Sequence, residues 1–181
     1  KYTGRLDCGD LCRENRFKKQ VFYLNNNPEI QLLGSWADIV DEKYNPLYAL
    51  KHPTSYNEIK KKMYYNSMFI HPTVIFRTDL LNDVGLYPIN YKAAEDYAFF
   101  FKIIKKHKSE NYPEVLLDYV VDSKSISSTK RKLQVTSRIR VILNNFYFGP
   151  YPVRGLLRNI LLYFISRDFS NKLKKILNKT N

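Results

Sequence analysis

The first group of residues that could do chemistry is a short acidic run near the start of the chain, Leu6-Asp7-Cys8-Gly9-Asp10. Carboxylates in a tight turn can present oxygen ligands to Mg²⁺ or Mn²⁺, which leave coordination positions open for phosphates. The alternative is an ordinary turn in which Asp10 caps a following helix. Taken alone, the run favours the ordinary turn.

A second acidic pair, Glu95 and Asp96, opens a predicted helix over residues 95–107. The helix dipole favours an ionised carboxylate at this end, and a general base must be ionised before it can accept a proton. Paired acids at a helix start are also common caps. The apolar positions of this helix recur at the spacing of a buried face. They are Tyr97, Phe100, Phe101 and Ile104.

A third candidate is His71, which precedes a β-branched and aromatic run at residues 73–77. A histidine at a strand entry can line a cleft, although a lone histidine is more often structural. The three histidines are scattered, and they do not form a zinc-ligand spacing with Cys8 and Cys12. We interpret the two cysteines as free thiols in a reducing compartment, which predicts a cytoplasmic location.

These groups need a scaffold of strands and helices. The pattern predicts a strand that ends at 5–7, strands over 30–40, 73–77 and 116–121, and helices over 11–26, 56–65, 78–85, 95–107, 130–145 and 153–165. The strand over 30–40 is expected to be interrupted at Gly34-Ser35, and Pro46 and Pro53 are expected to lie in a loop. The mixture predicts an α/β or α+β domain. Neither common glycine-rich phosphate motif occurs.

Length and composition agree with one globular domain. The chain has 181 residues, of which 44% are apolar and 26% charged, which excludes a disordered, collagen-like or disulfide-rich class. No apolar stretch is long enough to span a membrane, and no signal peptide is recognisable. Because the chain begins with lysine, we expect it to be a piece of a longer protein.

The positive charge is concentrated at the end of the chain. Residues 130–181 carry 12 of the 30 Lys and Arg residues and a single acid, Asp168. Such a tail suggests contact with an anionic surface, either membrane or nucleic acid. The alternative is charge that merely keeps exposed helices soluble.

Taken together and in order, these segments resemble family 2 glycosyltransferases. The resemblance covers residues 3–145 and begins with the acidic turn followed by a helix. Its motifs are Leu6–Asp10, Arg16–Gln20, Phe22–Leu24, Asn27–Ile30, Leu33–Trp36, His71–Arg77, Gly85–Tyr87, Glu95–Tyr97, Ser127–Ser128 and Gln134. Each motif is weak alone, whereas their occurrence in the order found in the family is a much stronger indication.

The resemblance implies a partial GT-A fold, a mixed sheet with flanking helices, that moves a sugar from a nucleotide-sugar donor to an acceptor hydroxyl with inversion. It places Asp7, with Asp10, beside the donor diphosphate and a Mg²⁺ or Mn²⁺ ion. Arg5 would contact the donor. Asp96 would be the general base.

The same resemblance places three further residues, Glu95, His71 and Trp36, near the acceptor. The Trp36 indole could stack on a sugar face, although a lone tryptophan is as readily a core residue. By this reading, residues 1–148 form the acidic metal turn and the acceptor half of a glycosyltransferase domain whose nucleotide-binding half would precede it, so we expect the chain to be inactive by itself. Residues 149–181 form a basic amphipathic helical tail.

One departure from the family pattern concerns Gly9, which stands where relatives carry the second acid of a D-x-D motif. This departure keeps a non-catalytic pseudoenzyme open as an alternative. The expected role is the synthesis of polysaccharide, lipopolysaccharide or another cell-surface glycan, on a glycan or lipid-linked acceptor.

The basic tail predicts one further partner. Residues 153–179 would lie on an anionic membrane surface, at the inner face, through Leu157, Ile160, Leu161 and Phe164. The alternative is a terminal helix packed on the domain. A basic module that binds nucleic acid is disfavoured, because the aromatic residues fall at core spacing and are not interleaved with the basic face.

Overall fold

A computed structural model describes residues 1–121 and 131–165. Within these residues the chain forms one six-stranded mixed sheet with helices around it. The strands are β1 (Tyr2–Gly4), β2 (Leu11–Cys12), β3 (Ile30–Val40), β4 (Pro46–Leu50), β5 (Ile75–Arg77) and β6 (Lys108–Val120). The helices are α1 (Arg16–Asn26), α2 (Tyr56–Lys62), α3 (Leu80–Val84), α4 (Glu95–Lys106), α5 (Arg131–Asn144) and α6 (Pro150–Phe164), and a 3₁₀ turn covers His71–Thr73. The predicted α/β class is confirmed.

The sheet is organised around β3. Its strand order is β1-β5-β3-β6-β2, and β4 also pairs with β3. The long pairing of β3 with β6 is parallel, and the other described pairings are antiparallel. Since β3 is buried along most of its length, it reads as the near-continuous apolar run expected of a central strand.

The predicted interruption of this strand at Gly34 is wrong, because β3 continues through it. A Cβ at this position would collide with the side-chain oxygen of Asn111. The Asn111 amide nitrogen donates to Pro53 O (2.7 Å) and Met68 O (2.8 Å), so the side chain cannot move aside without losing buried hydrogen bonds. Glycine is therefore needed at position 34 because β3 and the Asn111 side chain of β6 approach each other closely here.

The main core lies between the sheet and α4. Phe99, Phe100 and Phe101 are each at most 1% exposed, and Tyr97 and Ile104 are buried with them. Burial of each such aromatic side chain stabilises the fold by about 2–3 kcal/mol. The predicted helix over 95–107 and its core face are confirmed.

The predicted start of the first helix at residue 11 is wrong. Leu11 and Cys12 form β2, paired with Asp118 and Leu117 of β6, and α1 begins only at Arg16. The apolar spacing that predicted this helix begins at Phe17, so the sequence pattern itself never extended to residue 11. A distant strand therefore decides the conformation of residues 11–12.

Four assignments along the sheet also need correction. The strand expected to end at residues 5–7 ends at Gly4. Residues 46–50 form β4 and not a loop; Pro46 is tolerated because it opens the strand. The last strand begins at Lys108, well before the predicted residue 116, because its polar first half pairs with β3. Residue 73 belongs to the 3₁₀ turn, so β5 starts at Ile75.

The predicted helices over 130–145 and 153–165 correspond to α5 and α6. Helix α6 packs on the domain through Pro152, Gly155 and Asn159. A Cβ at Gly155 would collide with the backbone of Tyr64, so the helix approaches that segment closely. The motif at Ser127–Ser128 and residues 166–181 lie outside the described residues, and the boundary at 148/149 stays a prediction.

Candidate active site

A cleft of about 340 Å³ lies at one end of the sheet. Its wall is assembled from the turn after β1, the strands β3, β4 and β6, the 3₁₀ turn, and the helices α4 and α5. Three of the residues singled out from the sequence line it together: Asp7, His71 and Asp96. They are far apart in the chain, so the fold is what brings them into one site.

Asp7 is presented by a tight turn. The Asp10 N–H donates to Asp7 O (3.2 Å), and Gly9 within this turn has a φ of 94°, a conformation that glycine adopts without strain. The Arg5 Nε donates to Asp7 Oδ1 (2.6 Å), while the second carboxylate oxygen faces His71. The pairing leaves Asp7 one oxygen for another partner.

His71 is held between an aspartate and a tyrosine. Its Nε2 lies 3.1 Å from the Tyr87 hydroxyl, and its Nδ1 lies 4.0 Å from Asp7 Oδ2. The ring packs edge-on against Phe100, with centroids 5.9 Å apart. Burial lowers the pKa of His71 below its ordinary value, although Asp96 and Asp7 act in the opposite direction. The imidazole is therefore neutral at neutral pH.

Asp96 stands in the first turn of α4, where the chain enters from a constrained loop. Ala93 has a φ of 62°, which is uncommon for a residue other than glycine, and the Ala94 N–H donates to Tyr91 O (2.8 Å). The next residue, Tyr97, is anchored through its hydroxyl to Met63 O (2.6 Å). Across the described part of the chain, no side chain or backbone group donates a hydrogen bond to the Asp96 carboxylate. Its oxygens are thus free to accept a proton from a ligand.

Asp10 lies beside the cleft and not in its wall. Its Oδ1 accepts a hydrogen bond from the Val120 N–H (3.0 Å), while Oδ2 is buried with no partner among the described residues. Burial raises the pKa of Asp10, the Val120 hydrogen bond lowers it, and the negative charge of Asp7 raises it further. The two carboxylates are therefore close enough to interact.

The carboxylates of Asp7 and Asp10 fit one common mode of divalent-cation coordination. Mg²⁺ commonly uses one or two carboxylates and completes its shell with water and substrate phosphates. The orphaned Asp10 Oδ2 and the free oxygen of Asp7 would serve as such ligands. In residues 1–121 and 131–165, no group of three or more His, Cys, Asp or Glu side chains is arranged as a complete metal site. The metal stays a prediction.

Besides Asp10, three predicted site residues do not line the cleft. The Trp36 indole donates to His52 O (2.9 Å), and Lys51 Nζ lies 5.0 Å from the ring centroid. Glu95 is half-buried next to Asp96 but outside the wall, and Arg5 reaches the site only through its ion pair with Asp7. Their roles toward acceptor and donor stay predictions.

The cleft also contains residues that had no predicted role. His52 and Tyr119 line it, and so do Gln134 and Arg138 from α5. Gln134 is one of the residues that carry the family resemblance, but no function was predicted for it. The spacing of Gln134 and Arg138 places both on one helix face, and this is the signal that could have paired them.

Comparison with known proteins relates this chain to glycosyltransferases. No protein-family model matches it. It is 31% identical over 137 residues to an uncharacterized glycosyltransferase of Methanocaldococcus jannaschii, which covers 74% of the chain and 47% of the relative. It is 28% identical to the amylovoran biosynthesis glycosyltransferase AmsE of Erwinia amylovora, over 77% of the chain and 52% of the relative.

A third relative carries a more detailed name. The UDP-Gal:alpha-D-GlcNAc-diphosphoundecaprenol beta-1,3-galactosyltransferase of Escherichia coli is 30% identical over 63% of the chain and 42% of its own length. The chain thus spans about half the length of these curated relatives. The named glycosyltransferases among its relatives support membership of a glycosyltransferase family.

Proposed function

We propose that this chain forms the acceptor side of an inverting glycosyltransferase that uses a nucleotide-sugar donor, as in family 2 enzymes of the GT-A fold. The observation that carries the proposal is the shared cleft, which the Asp96 carboxylate lines together with Asp7 and His71 and without a hydrogen-bond donor among the described residues. The relatives' names supply the reaction class.

In the proposed reaction Asp96 acts as general base. It takes the proton of an acceptor hydroxyl while the oxygen of that hydroxyl attacks the anomeric carbon of the donor sugar. The new glycosidic bond forms as the bond to the nucleoside diphosphate breaks, and the diphosphate departs with the bonding electrons. A single displacement inverts the anomeric centre, so no enzyme nucleophile is required.

The opposite side of the reaction needs positive charge near the departing diphosphate. Asp7 and Asp10 would hold a Mg²⁺ or Mn²⁺ ion there, which would supply charge stabilisation for the leaving group. Arg5 would contact the donor from the same turn, since its guanidinium already lies 2.6 Å from Asp7. Glu95, His71 and Trp36 would contribute to acceptor binding.

A pair of matched substitutions tests the general base. In the full-length protein, Asp96→Asn keeps the shape of the side chain but removes the proton acceptor, so transferase activity should fall by roughly 10²–10⁴-fold. Asp79→Asn makes the same chemical change at the start of α3, at an exposed position outside the cleft, and should leave activity unchanged. Equal activity of the two variants would reject Asp96 as the base.

For the pathway, we propose synthesis of polysaccharide, lipopolysaccharide or another cell-surface glycan on a glycan or lipid-linked acceptor. One relative is named for amylovoran biosynthesis, and another for transfer to a diphosphoundecaprenol-linked sugar. Incubation of the protein with a panel of nucleotide sugars and lipid-linked acceptors would define the pair that supports transfer.

The alternative function is a pseudoenzyme. Gly9 favours it, because this position lacks the second acid of the D-x-D motif, and its φ of 94° disfavours a side chain there. A pseudoenzyme would show no transfer with any donor and no dependence on Mn²⁺. Transfer that chelators abolish and Mn²⁺ restores would reject it.

The membrane contact is a separate proposal, and it is supported by α6. No helix within the described ranges is long and apolar enough to cross a bilayer. Helix α6 nevertheless turns small and polar residues inward and exposes a row of large apolar ones, including Leu157 (56%), Leu161 (60%) and Phe164 (79%). With the basic residues of 130–181, this face fits an anionic lipid surface on the inner, cytoplasmic side of the membrane.

Vesicle co-sedimentation tests this contact. The protein should bind vesicles rich in phosphatidylglycerol at low salt and should not bind vesicles of phosphatidylcholine alone. The double substitution Leu157→Ser with Leu161→Ser should weaken binding strongly, whereas Phe22→Ser on the exposed side of α1 should not. Unchanged binding of the double variant would overturn the proposed orientation.

A further inference from the structure

The cleft contains a positive charge with which no described group forms an ion pair or a hydrogen bond, although the Asp96 carboxylate acts on it from a distance. It belongs to Arg138 on α5, which lines the cleft. Among residues 1–121 and 131–165 it has no hydrogen-bond acceptor and no carboxylate within ion-pair distance. Other arginines near the cleft are engaged: Arg5 with Asp7, Arg13 with Asp38 and Asp118, Arg16 with Arg5 O, and Arg158 with Tyr65 O.

Arg138 is held in this position by the packing of α5. The Ser137 hydroxyl donates to Lys92 O (2.8 Å), and the Asn144 amide donates to the Tyr91 hydroxyl (2.5 Å). Both partners belong to the loop that leads into α4. Helix α5, which carries Arg138, is therefore hydrogen-bonded to the loop that positions Asp96. These hydrogen bonds hold Arg138 and Asp96 in a constant position relative to each other.

The environment of Arg138 is costly for an unpaired cation. Burial lowers its pKa, while Tyr97 and the negative charge of Asp96 act in the opposite direction. The guanidinium nevertheless remains charged at neutral pH, because arginine does not lose its proton in proteins. A partly desolvated charge without a direct ion pair is unfavourable, so an anionic ligand that contacts the guanidinium would gain from binding here.

Gln134 adds a second donor on the same wall. It lies one helical turn before Arg138, at the i, i+4 spacing, and it lines the same cleft. The planar fork of a guanidinium matches the oxygens of a phosphoryl group, and an amide N–H can donate to a third oxygen. A neutral sugar hydroxyl would leave the charge of Arg138 uncompensated.

We propose that Arg138 and Gln134 form a subsite for a diphosphate group, next to Asp96 and independent of the Asp7–Asp10 pair. The assignment of this diphosphate rests on the proposed function, because both a nucleotide-sugar donor and a lipid-diphosphate-linked acceptor carry one. The subsite itself rests only on the geometry of the cleft.

Inorganic pyrophosphate is the direct probe. Its affinity is measured by calorimetry at 150 mM NaCl with a chelator present, so that no divalent cation contributes. Arg138→Gln should weaken binding about 10-fold or more, since a charge-assisted pair is lost, and Arg138→Lys should weaken it by a smaller factor because the fork is lost but the charge remains.

Arg140→Gln is the matched control. It removes the same charge from the same helix, but Arg140 is exposed and its guanidinium lies 5.7 Å from the Tyr91 ring, outside the cleft wall. This variant should retain the affinity of the unsubstituted protein. Equal weakening in Arg138→Gln and Arg140→Gln would mean that only net charge attracts pyrophosphate, and it would overturn the subsite.

The melting temperature without ligand separates binding from a structural role. Arg138→Gln should melt at the same temperature as the unsubstituted protein or higher, because it removes an unpaired, partly desolvated charge. A melting temperature several degrees lower, together with lost pyrophosphate binding, would assign Arg138 to stability instead and overturn the proposal.

Two further ligands distinguish the source of the diphosphate. Arg138→Gln should weaken the binding of UDP if the subsite holds the donor, and of a short-chain prenyl-diphosphate sugar if it holds the acceptor. Unweakened binding of both would overturn the assignment. These binding measurements do not require transfer, so a failure of the proposed reaction would be visible separately in the Asp96→Asn assay.

Discussion

The two acidic segments of the cleft are built in opposite ways. Asp96 opens α4, whose following residues Phe99, Phe100 and Phe101 are almost completely buried. Asp7 and Asp10 lie in a turn whose neighbours are mostly exposed, held by the Arg5 ion pair and the hydrogen bond from Val120. A group that accepts a proton benefits from a fixed position, and the core supplies it.

The turn has a different requirement. In the proposed reaction a cation and a diphosphate would enter and leave beside Asp7 and Asp10, and a few hydrogen bonds are easier to rearrange than a packed core. The comparison teaches that substitutions in the core beneath α4 should act mainly on stability, whereas those in the turn should act mainly on ligand binding.

The largest expected effect comes from the core beneath Asp96. Phe100→Ala removes a ring that contacts both Phe69 and His71, and the cavity should lower the free energy of unfolding by about 3–5 kcal/mol. Urea unfolding followed by circular dichroism measures this. The matched control is Phe22→Ala, which removes the same ring from a side chain that is 71% exposed and should cost less than about 0.5 kcal/mol. Comparable losses in the two variants would contradict the rigid-core account.

A smaller effect is expected in the turn. Asp10→Ala leaves the Val120 N–H without its acceptor and should cost about 1 kcal/mol, because the site is only partly buried. Asp10→Asn retains an acceptor oxygen and removes a charge that burial disfavours, so it should be at least as stable as the unsubstituted protein at pH 7. Equal destabilisation by both changes would show that the charge, and not the hydrogen bond, holds the turn.

The expected stability of Asp10→Asn follows from the raised pKa of Asp10. A carboxyl group whose pKa is higher in the folded state favours folding at low pH. That contribution is lost as the pH rises through the folded pKa. The advantage of Asp10→Asn should therefore grow between acidic and neutral pH, as the carboxyl group ionises.

The smallest expected effect is a pH dependence from the two cleft histidines. Burial lowers the pKa of both His52 and His71. The unfolded chain therefore binds more protons below about pH 6.5, and the free energy of unfolding should fall as the pH decreases through that range. Urea unfolding at pH 7.5 and 5.5 measures the difference.

Replacement of both histidines by asparagine should remove most of this pH dependence. His107→Asn is the comparison variant, because His107 pairs with Asp83 away from the cleft, and this variant should retain the fall in stability. If the double variant loses stability at pH 5.5 as steeply as the unsubstituted protein, the buried histidines are not its source.

The sequence predicted those elements whose own residues carry the signal. Helix α4 has a stripe of aromatic residues that packs on the core, and β5 has a β-branched run. The strands β2 and β4 could not be predicted, because each is stabilised by pairing with a strand that is distant or buried, and their residues have no periodicity of their own.

The same limit applies to the candidate site. Asp7, His71 and Asp96 were connected only by the family resemblance, and their placement in one cleft needed the fold. Arg138 was one basic residue among many in a charged tail. Nothing in its local sequence shows that it lines the cleft with no ion pair to any residue that the structure describes, because that depends on the contacts of α5 with the loop before α4.

The parallel pairing of β3 with β6 also decides when this protein can fold during synthesis. The paired residues run from Ile30 with Lys108 to Val40 with Val120, roughly 80 positions apart in the chain. While a ribosome is still producing the intervening helices, β3 has one side without its main neighbour. The domain therefore completes its sheet only after β6 has emerged, and until then the nascent chain exposes a long apolar strand that chaperones would be expected to cover.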